Sequence, residues 1–429
     1  MQSLVEVSAR SRVGSMATAL VGSEILQIAS EIRALAKQGK SICNLTVGDF
    51  DPRQFPAPRG LRAQIAEALE RGETNYPPSE GLMELRTAVQ RFYARELGLE
   101  VSAESVLIAS GARPLLYGAF RTLVDPGERV VYPVPSWNNN HYVHLAGAIG
   151  VPVPCHASTR FLPTEAALRP ELGRARLVCL NSPLNPSGTA LEPAVLRGIS
   201  RAILAENERR EARGERPLFL VYDQVYWRLV VAGRSHVTPG ALEPAIDRYT
   251  IYVDGISKAF AATGLRVGWA VGPPDLIERM SAVLGHVGAW APRPEQAATA
   301  RWLDDQGAIV EFERDFRAGI DQRLATLHAG LQRMKCRGLP VDSLEPMGAI
   351  YLTARIHPFG TRTRSGTKLA TSEEIRRFVL EEAAVGIVPF GAFGVEQDEG
   401  WFRLSIGAVS VADIEAGLSR LETALASLS

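Results

Sequence analysis

From about residue 105 the chain alternates short apolar runs with amphipathic ones. "SVLIAS", "ERVVYPV", "RLVCLNS", "LFLVYDQ", "TIYVDGIS" and "RVGWAV" read as strands, each separated by a helical stretch. That alternation predicts an α/β fold: a mostly parallel open sheet sandwiched by helices. Before it, residues 24–38, 58–72 and 82–98 have helical apolar spacing, and "GKSICNLTVGDFDP" turns extended and ends in a Gly/Asp/Pro loop. After it, residues 296–336 read as one long helical stretch. "GAIYLTARI", a helix near 372–384, "GIVPFG", "WFRLSI" and a final helix near 411–427 make an α+β end. The expected layout is an N-terminal arm and part of a smaller α+β domain at 1–60, a large domain at 61–325, and the rest of the smaller domain at 326–429. The charged run "ENERREARGER", 206–216, reads as a solvated helix end.

Composition narrows the class. The chain has 429 residues, 46% of them apolar, with 47 basic residues balancing 47 acidic ones. Such a balance argues against a nucleic-acid or anionic-membrane partner. Cys43, Cys155, Cys179 and Cys336 stand far apart and the histidines form no pair at metal spacing, so no metal site is expected. No run reaches transmembrane length and the first residues lack the apolar core of a secretory signal, so a cytoplasmic protein is expected.

Ligands of open α/β sheets sit outside the carboxyl ends of the strands. Four strand ends here carry unusual polar groups. In "VLIASGARPLLYGAF", Gly111 permits a tight turn into a helix, and the Gly111 and Ala112 N–H groups are expected to face outward as a phosphate seat. In "CLNSPLNPSGTAL", two Asn-Pro pairs fix a loop that holds Asn185 at the crevice. In "LFLVYDQVYW", Asp223 ends an apolar strand and needs a cation or strong donors, with Tyr226 three residues on. In "YVDGISKAFAATGLRVGW", Lys258 follows a buried strand, where desolvation makes it a carbonyl-seeking amine. Each has an ordinary explanation alone: a turn, a loop cap, a surface lysine. One molecule uses all four, pyridoxal 5'-phosphate, with its phosphate, phenolic oxygen, ring nitrogen and aldehyde.

These segments, with "NSPLNPSG", "YDQVYW", "TNYPPSEGLMELRTAV", "EPMGAIYL" and "WFRLSIG" in order, resemble the fold type I pyridoxal-phosphate enzymes, specifically the class I and II aminotransferases of the aspartate/aromatic kind. The resemblance runs from about residue 24 to the C-terminus. It implies that Lys258 holds the coenzyme as a Schiff base and shuttles the proton, and that Asp223 pairs with the ring nitrogen. Asn185 and Tyr226 would bond the ring oxygen, Arg266 with Gly111 and Ala112 the phosphate, and Trp137 would stack on the ring. Arg403 would grip the substrate α-carboxylate, with Gly48 and Asn185 beside it. Tyr76 resembles the tyrosine that reaches the neighbouring subunit's phosphate, which implies a homodimer with shared active sites.

The sequence departs from the family at Gly255, where a phosphate-binding serine is frequent, with Ser257 or Ser110 as substitutes. It departs again at Gln224, where glutamate is usual, and in the run "WNNNH". The implied activity is transamination between an L-amino acid, aspartate in the first instance, and 2-oxoglutarate. Arg113 is a candidate for a second carboxylate. Aromatic or prephenate transamination, lyase chemistry on the same fold, and a non-enzymatic ligand sensor are the alternatives.

Overall fold

The computed structural model describes residues 13–20, 24–37 and 39–429. Its centre is a seven-stranded sheet of β1 (Val106–Ala109), β2 (Arg129–Val134), β3 (Ile149–Pro154), β4 (Ala175–Asn181), β5 (Phe219–Asp223), β6 (Thr250–Gly255) and β7 (Gly268–Val271). The spatial order is β1-β7-β6-β5-β4-β2-β3, parallel throughout except that β7 runs against both its neighbours. The strands are near-continuous apolar runs because helices cover both faces, burying two large clusters. The six expected strands form. The seventh, β3, "IGVPVP", is an edge strand whose two prolines mask it in the sequence, and the edge is where proline is tolerated.

A second sheet is antiparallel, with β8 (Val341–Ser343), β9 (Tyr351–Ile356), β10 (Val388–Pro389) and β11 (Trp401–Ser405) in the order β10-β11-β9-β8. Helices Ser372–Ala383 and Val411–Ala426 pack with it around a separate core. Both begin with a capping box, Thr371/Glu374 and Ser410/Asp413. From the other end of the chain, Cys43–Asn44 pairs in parallel with Val385–Gly386.

The expected helix over 296–336 is two helices, Arg293–Asp304 and Gln306–Cys336, because Asp305 accepts the Ala308 N–H and caps a new start. The second helix begins in the large sheet's core with Ile309 and continues into the small sheet's core with Phe316, Ile320 and Leu324. The run 206–216 is less solvated than expected. Arg210 is buried, its guanidinium donating to the Leu172 and Ala175 carbonyls beside an ion pair with Glu206. Among the described residues no helix is long and apolar enough to cross a membrane.

Candidate active site

The carboxyl ends of β4, β5 and β6 and the turn after β1 open onto a cavity of about 660 Å³, closed on its other side by β9, β11 and the segment Thr46–Asp49. That is the size range of a cofactor pocket. Lys258, Asp223, Tyr226, Asn185, Ala112, Trp137, Arg266, Gly48 and Arg403 all line it, together with Arg113 and Ser257.

Lys258 sits in a one-turn helix, Ile256–Ala259, that starts as soon as β6 ends. Its Nζ donates to the Gly48 carbonyl at 2.7 Å. Burial pushes its pKa down to about 8; Asp49 opposes that shift, and Arg403, Arg113 and Arg266 add to it. The amine is therefore partly unprotonated near neutral pH, the form that attacks a carbonyl.

Asp223 ends β5. Among the described residues its side chain accepts one hydrogen bond, from the Val225 N–H at 3.2 Å, and burial pushes its pKa up to about 7. A carboxylate so poorly compensated is stabilised by a cationic N–H placed in the cavity.

Arg403, on β11, is buried. Nη1 donates to Asn185 Oδ1 at 3.1 Å and Nη2 to the Thr46 carbonyl at 2.6 Å, while Nε has no partner among the described residues. Tyr226 and Tyr351 hydroxyls share a bond of 2.6 Å, and the Arg403 guanidinium lies 4.8 Å from the Tyr351 ring centroid. Tyr351 is a lining residue that sequence reasoning passed over. Its signal was the quoted "EPMGAIYL", used for family likeness and not for a role.

At the other end, Arg266 adopts a left-handed backbone, φ 56°, and donates from Nη1 to the Thr263 carbonyl and from Nη2 to the Ser110 carbonyl, both at 2.8 Å. The expectation for Gly111 needs correction. Its N–H donates to the Ala109 carbonyl at 2.7 Å, so it is not an open donor. Its contribution is space: φ is 90°, and a Cβ there would meet Arg266 Nη2 at 2.3 Å. Ala112 begins a 12-residue helix, Ala112–Leu123, that has no side-chain cap, which leaves its N-terminus for an anion.

Gly255 has a steric cause. A Cβ would come 2.7 Å from the Val267 carbonyl oxygen, so a serine does not fit without backbone movement. Ser257 lines the cavity in its stead; Ser110 does not. The Gln224 departure is also accounted for. Buried Asp254 already supplies a carboxylate to its cluster, and Gln224 Nε2 donates to Tyr93 Oη at 3.1 Å, a bond that glutamate cannot make when ionised.

Trp137 carries the Arg113 guanidinium 4.5 Å from its ring centroid. Tyr76 is not brought into its own chain's cavity. It is 81% exposed, with its ring 5.3 Å from that of Trp290.

An amine, an open carboxylate, a helix N-terminus beside an arginine, and a second, buried arginine thus share one cavity. Residues 40–421 match the family model for aminotransferase class I and II. The chain is 33% identical over 414 residues to an aspartate aminotransferase of Rhizobium meliloti (strain 1021), spanning 95% of this chain and 94% of that protein. It is 30% identical over 381 residues to an aspartate/prephenate aminotransferase of Thermus thermophilus, spanning 88% and 91%. The solved aspartate aminotransferase from Rhizobium meliloti superposes with a TM-score of 0.87 at 31% identity, over 97% of this chain and 99% of that one. The chain belongs to the class I and II aminotransferases, enzymes that depend on pyridoxal phosphate.

Proposed function

We propose that this aminotransferase takes aspartate as amino donor and 2-oxoglutarate as acceptor. The observation that carries the reading is the pair of guanidinium groups in one cavity: Arg403, buried on β11, and Arg113, held over Trp137. A dicarboxylate needs two such cations, and a planar fork binds a carboxylate through two parallel bonds. The names of several relatives, aspartate aminotransferase among them, agree with it.

The site residues then divide the work. Arg266, Ser257 and the Ala112 N–H hold the phosphate, with Gly111 allowing the close approach. Asp223 would keep the ring nitrogen protonated, Asn185 and Tyr226 would bond the ring oxygen, and Trp137 would stack on the ring. Arg403 orients the substrate through its α-carboxylate, with Gly48 at its side. Pyridoxal phosphate supplies an aldehyde that accepts the amino group and a ring that withdraws electrons from the substrate carbon. With the coenzyme bound, Lys258 Nζ would be the base that takes up and returns the substrate's α-proton.

Tyr76, exposed on its own chain, fits the neighbour's phosphate in a homodimer with shared sites. We further read residues 61–325 as the coenzyme-binding domain, 326–429 with part of 1–60 as the smaller one, and the cytoplasm as the compartment.

The test is a panel of amino donors with 2-oxoglutarate and full product analysis. Aspartate should give the highest kcat/KM and stoichiometric 2-oxo acid. Release of ammonia or a thiol without an acceptor would identify a lyase, and preference for aromatic donors would overturn the substrate.

A further inference from the structure

Residues Thr46–Phe50 cross the cavity between its two walls. On the small-sheet side, Arg403 Nη2 donates to the Thr46 carbonyl and Ser405 Oγ to the Val47 carbonyl, each at 2.6 Å. On the large-sheet side, Lys258 Nζ donates to the Gly48 carbonyl at 2.7 Å, and Thr263 Oγ1 donates to Asp49 Oδ1 at 2.6 Å. The same Asp49 oxygen accepts the Phe50 N–H at 2.8 Å. Thr263 faces both ways, since its carbonyl accepts from Arg266 Nη1 at 2.8 Å. A continuous chain of hydrogen bonds thus runs from the crossing segment to the arginine at the phosphate end.

Charge makes Asp49 more than a tether. Among the described residues the cavity is lined by four cations, Lys258, Arg113, Arg266 and Arg403, and two carboxylates. One carboxylate, Asp223, is assigned to the ring nitrogen; Asp49 is the other. Its charge raises the pKa of Lys258 against burial and the three arginines, and it acts in the same direction on Arg266 and Tyr351. The rings of Phe50 and Tyr226 complete the surroundings of the amine, each with its centroid 5.9 Å from Nζ.

We propose that Asp49 is a positioning residue of this site: its carboxylate latches the crossing segment to the Thr263–Arg266 turn and places a compensating negative charge beside Lys258 among three guanidinium groups. This rests on the reading that Lys258 holds the coenzyme. Local spacing assigns Asp49 no role beyond membership of a Gly/Asp/Pro loop.

The experiment titrates the visible absorbance of the holoenzyme against pH and measures the Kd of pyridoxal phosphate. A wild-type protein without a titrating chromophore would sink the Lys258 reading and this proposal together. Given that chromophore, Asp49→Asn should lower its midpoint by about one unit, because a neighbouring anion favours the protonated form, and raise the Kd about tenfold through the lost latch. Asp49→Glu keeps the charge and should bring the midpoint back towards the wild-type value, which no loss of packing would do. Thr263→Val should raise the Kd without lowering the midpoint. An Asp49→Asn midpoint matching the wild type would overturn the proposal. Should that variant fail to fold, an unchanged Kd in Thr263→Val would overturn it.

Discussion

Two carboxylates stand one strand apart at the same edge of the large sheet, facing opposite ways. Asp223, at the end of β5, opens onto the cavity; Asp254, on β6, points into the core behind it. Burial raises both to about 7. Their surroundings differ. Asp254 accepts the Gly255 N–H and the Trp227 Nε1–H, both at 2.7 Å, and the Tyr93 hydroxyl at 3.3 Å. The Asp223 carboxylate accepts only the Val225 N–H among the described residues. A buried acid whose bonds are complete is part of the scaffold, whereas one left open is a place for a ligand. Two arginines repeat the contrast. Arg210 spends its donors on Glu206 and three backbone carbonyls, while Arg403, on the cavity wall, has a buried Nε with no partner among the described residues.

Neutralising the two acids one at a time separates scaffold from site. Asp223→Asn should lower kcat by about 10³-fold or more, since the electron-withdrawing ring loses its partner, and should leave the melting temperature of the coenzyme-free protein unchanged or higher. Arg403→Lys should follow, with kcat/KM down about 10²-fold for every amino donor, because a point charge replaces a two-pronged one. Asp254→Asn should show the opposite pattern. It should keep kcat within a few-fold of wild type but lose about 1–3 kcal/mol of stability, as an amide cannot accept from all three donors. If Asp254→Asn were as inactive as Asp223→Asn while still folded, the division between scaffold and site would fail.

A pH series sharpens the same point. Both acids have folded-state pKa values above the ordinary aspartate value, so the folded chain holds protons that the unfolded chain has released. Their contribution to stability is complete below about pH 4 and is lost as pH rises through about 7. The coenzyme-free protein should therefore melt at lower temperature as pH rises across that window, and adding the coenzyme should remove the Asp223 share alone. The smallest effect belongs to the rim. Arg113→Ala should cost about tenfold in kcat/KM for dicarboxylates and leave monocarboxylate donors alone, and an unchanged aspartate value would remove Arg113 from the site.

Much of this was legible in the chain because strand ends are. A buried strand that stops at Asp223 or just before Lys258 places a costly polar group at a known spot, and the parallel order of β2 to β6 brings those spots together. What stayed hidden depends on distance across the fold. Tyr351 meets Tyr226 from the other sheet, 125 residues on, and Asp49 meets Thr263 across 214 residues. No local spacing encodes either pairing. The engaged N–H of Gly111 is a matter of one turn's dihedrals, and β3 was obscured by its two prolines, which an edge position tolerates.

In the reading proposed here, the amine of Lys258 holds the coenzyme opposite Asp223. Borohydride reduction of the purified protein with pyridoxal phosphate, followed by proteolysis and mass spectrometry, tests that link directly. The expected result is one stoichiometric phosphopyridoxyl adduct, on the peptide containing Lys258, and none in Lys258→Ala. An adduct fixed mainly on another lysine, or a wild-type protein left unmodified, would contradict it.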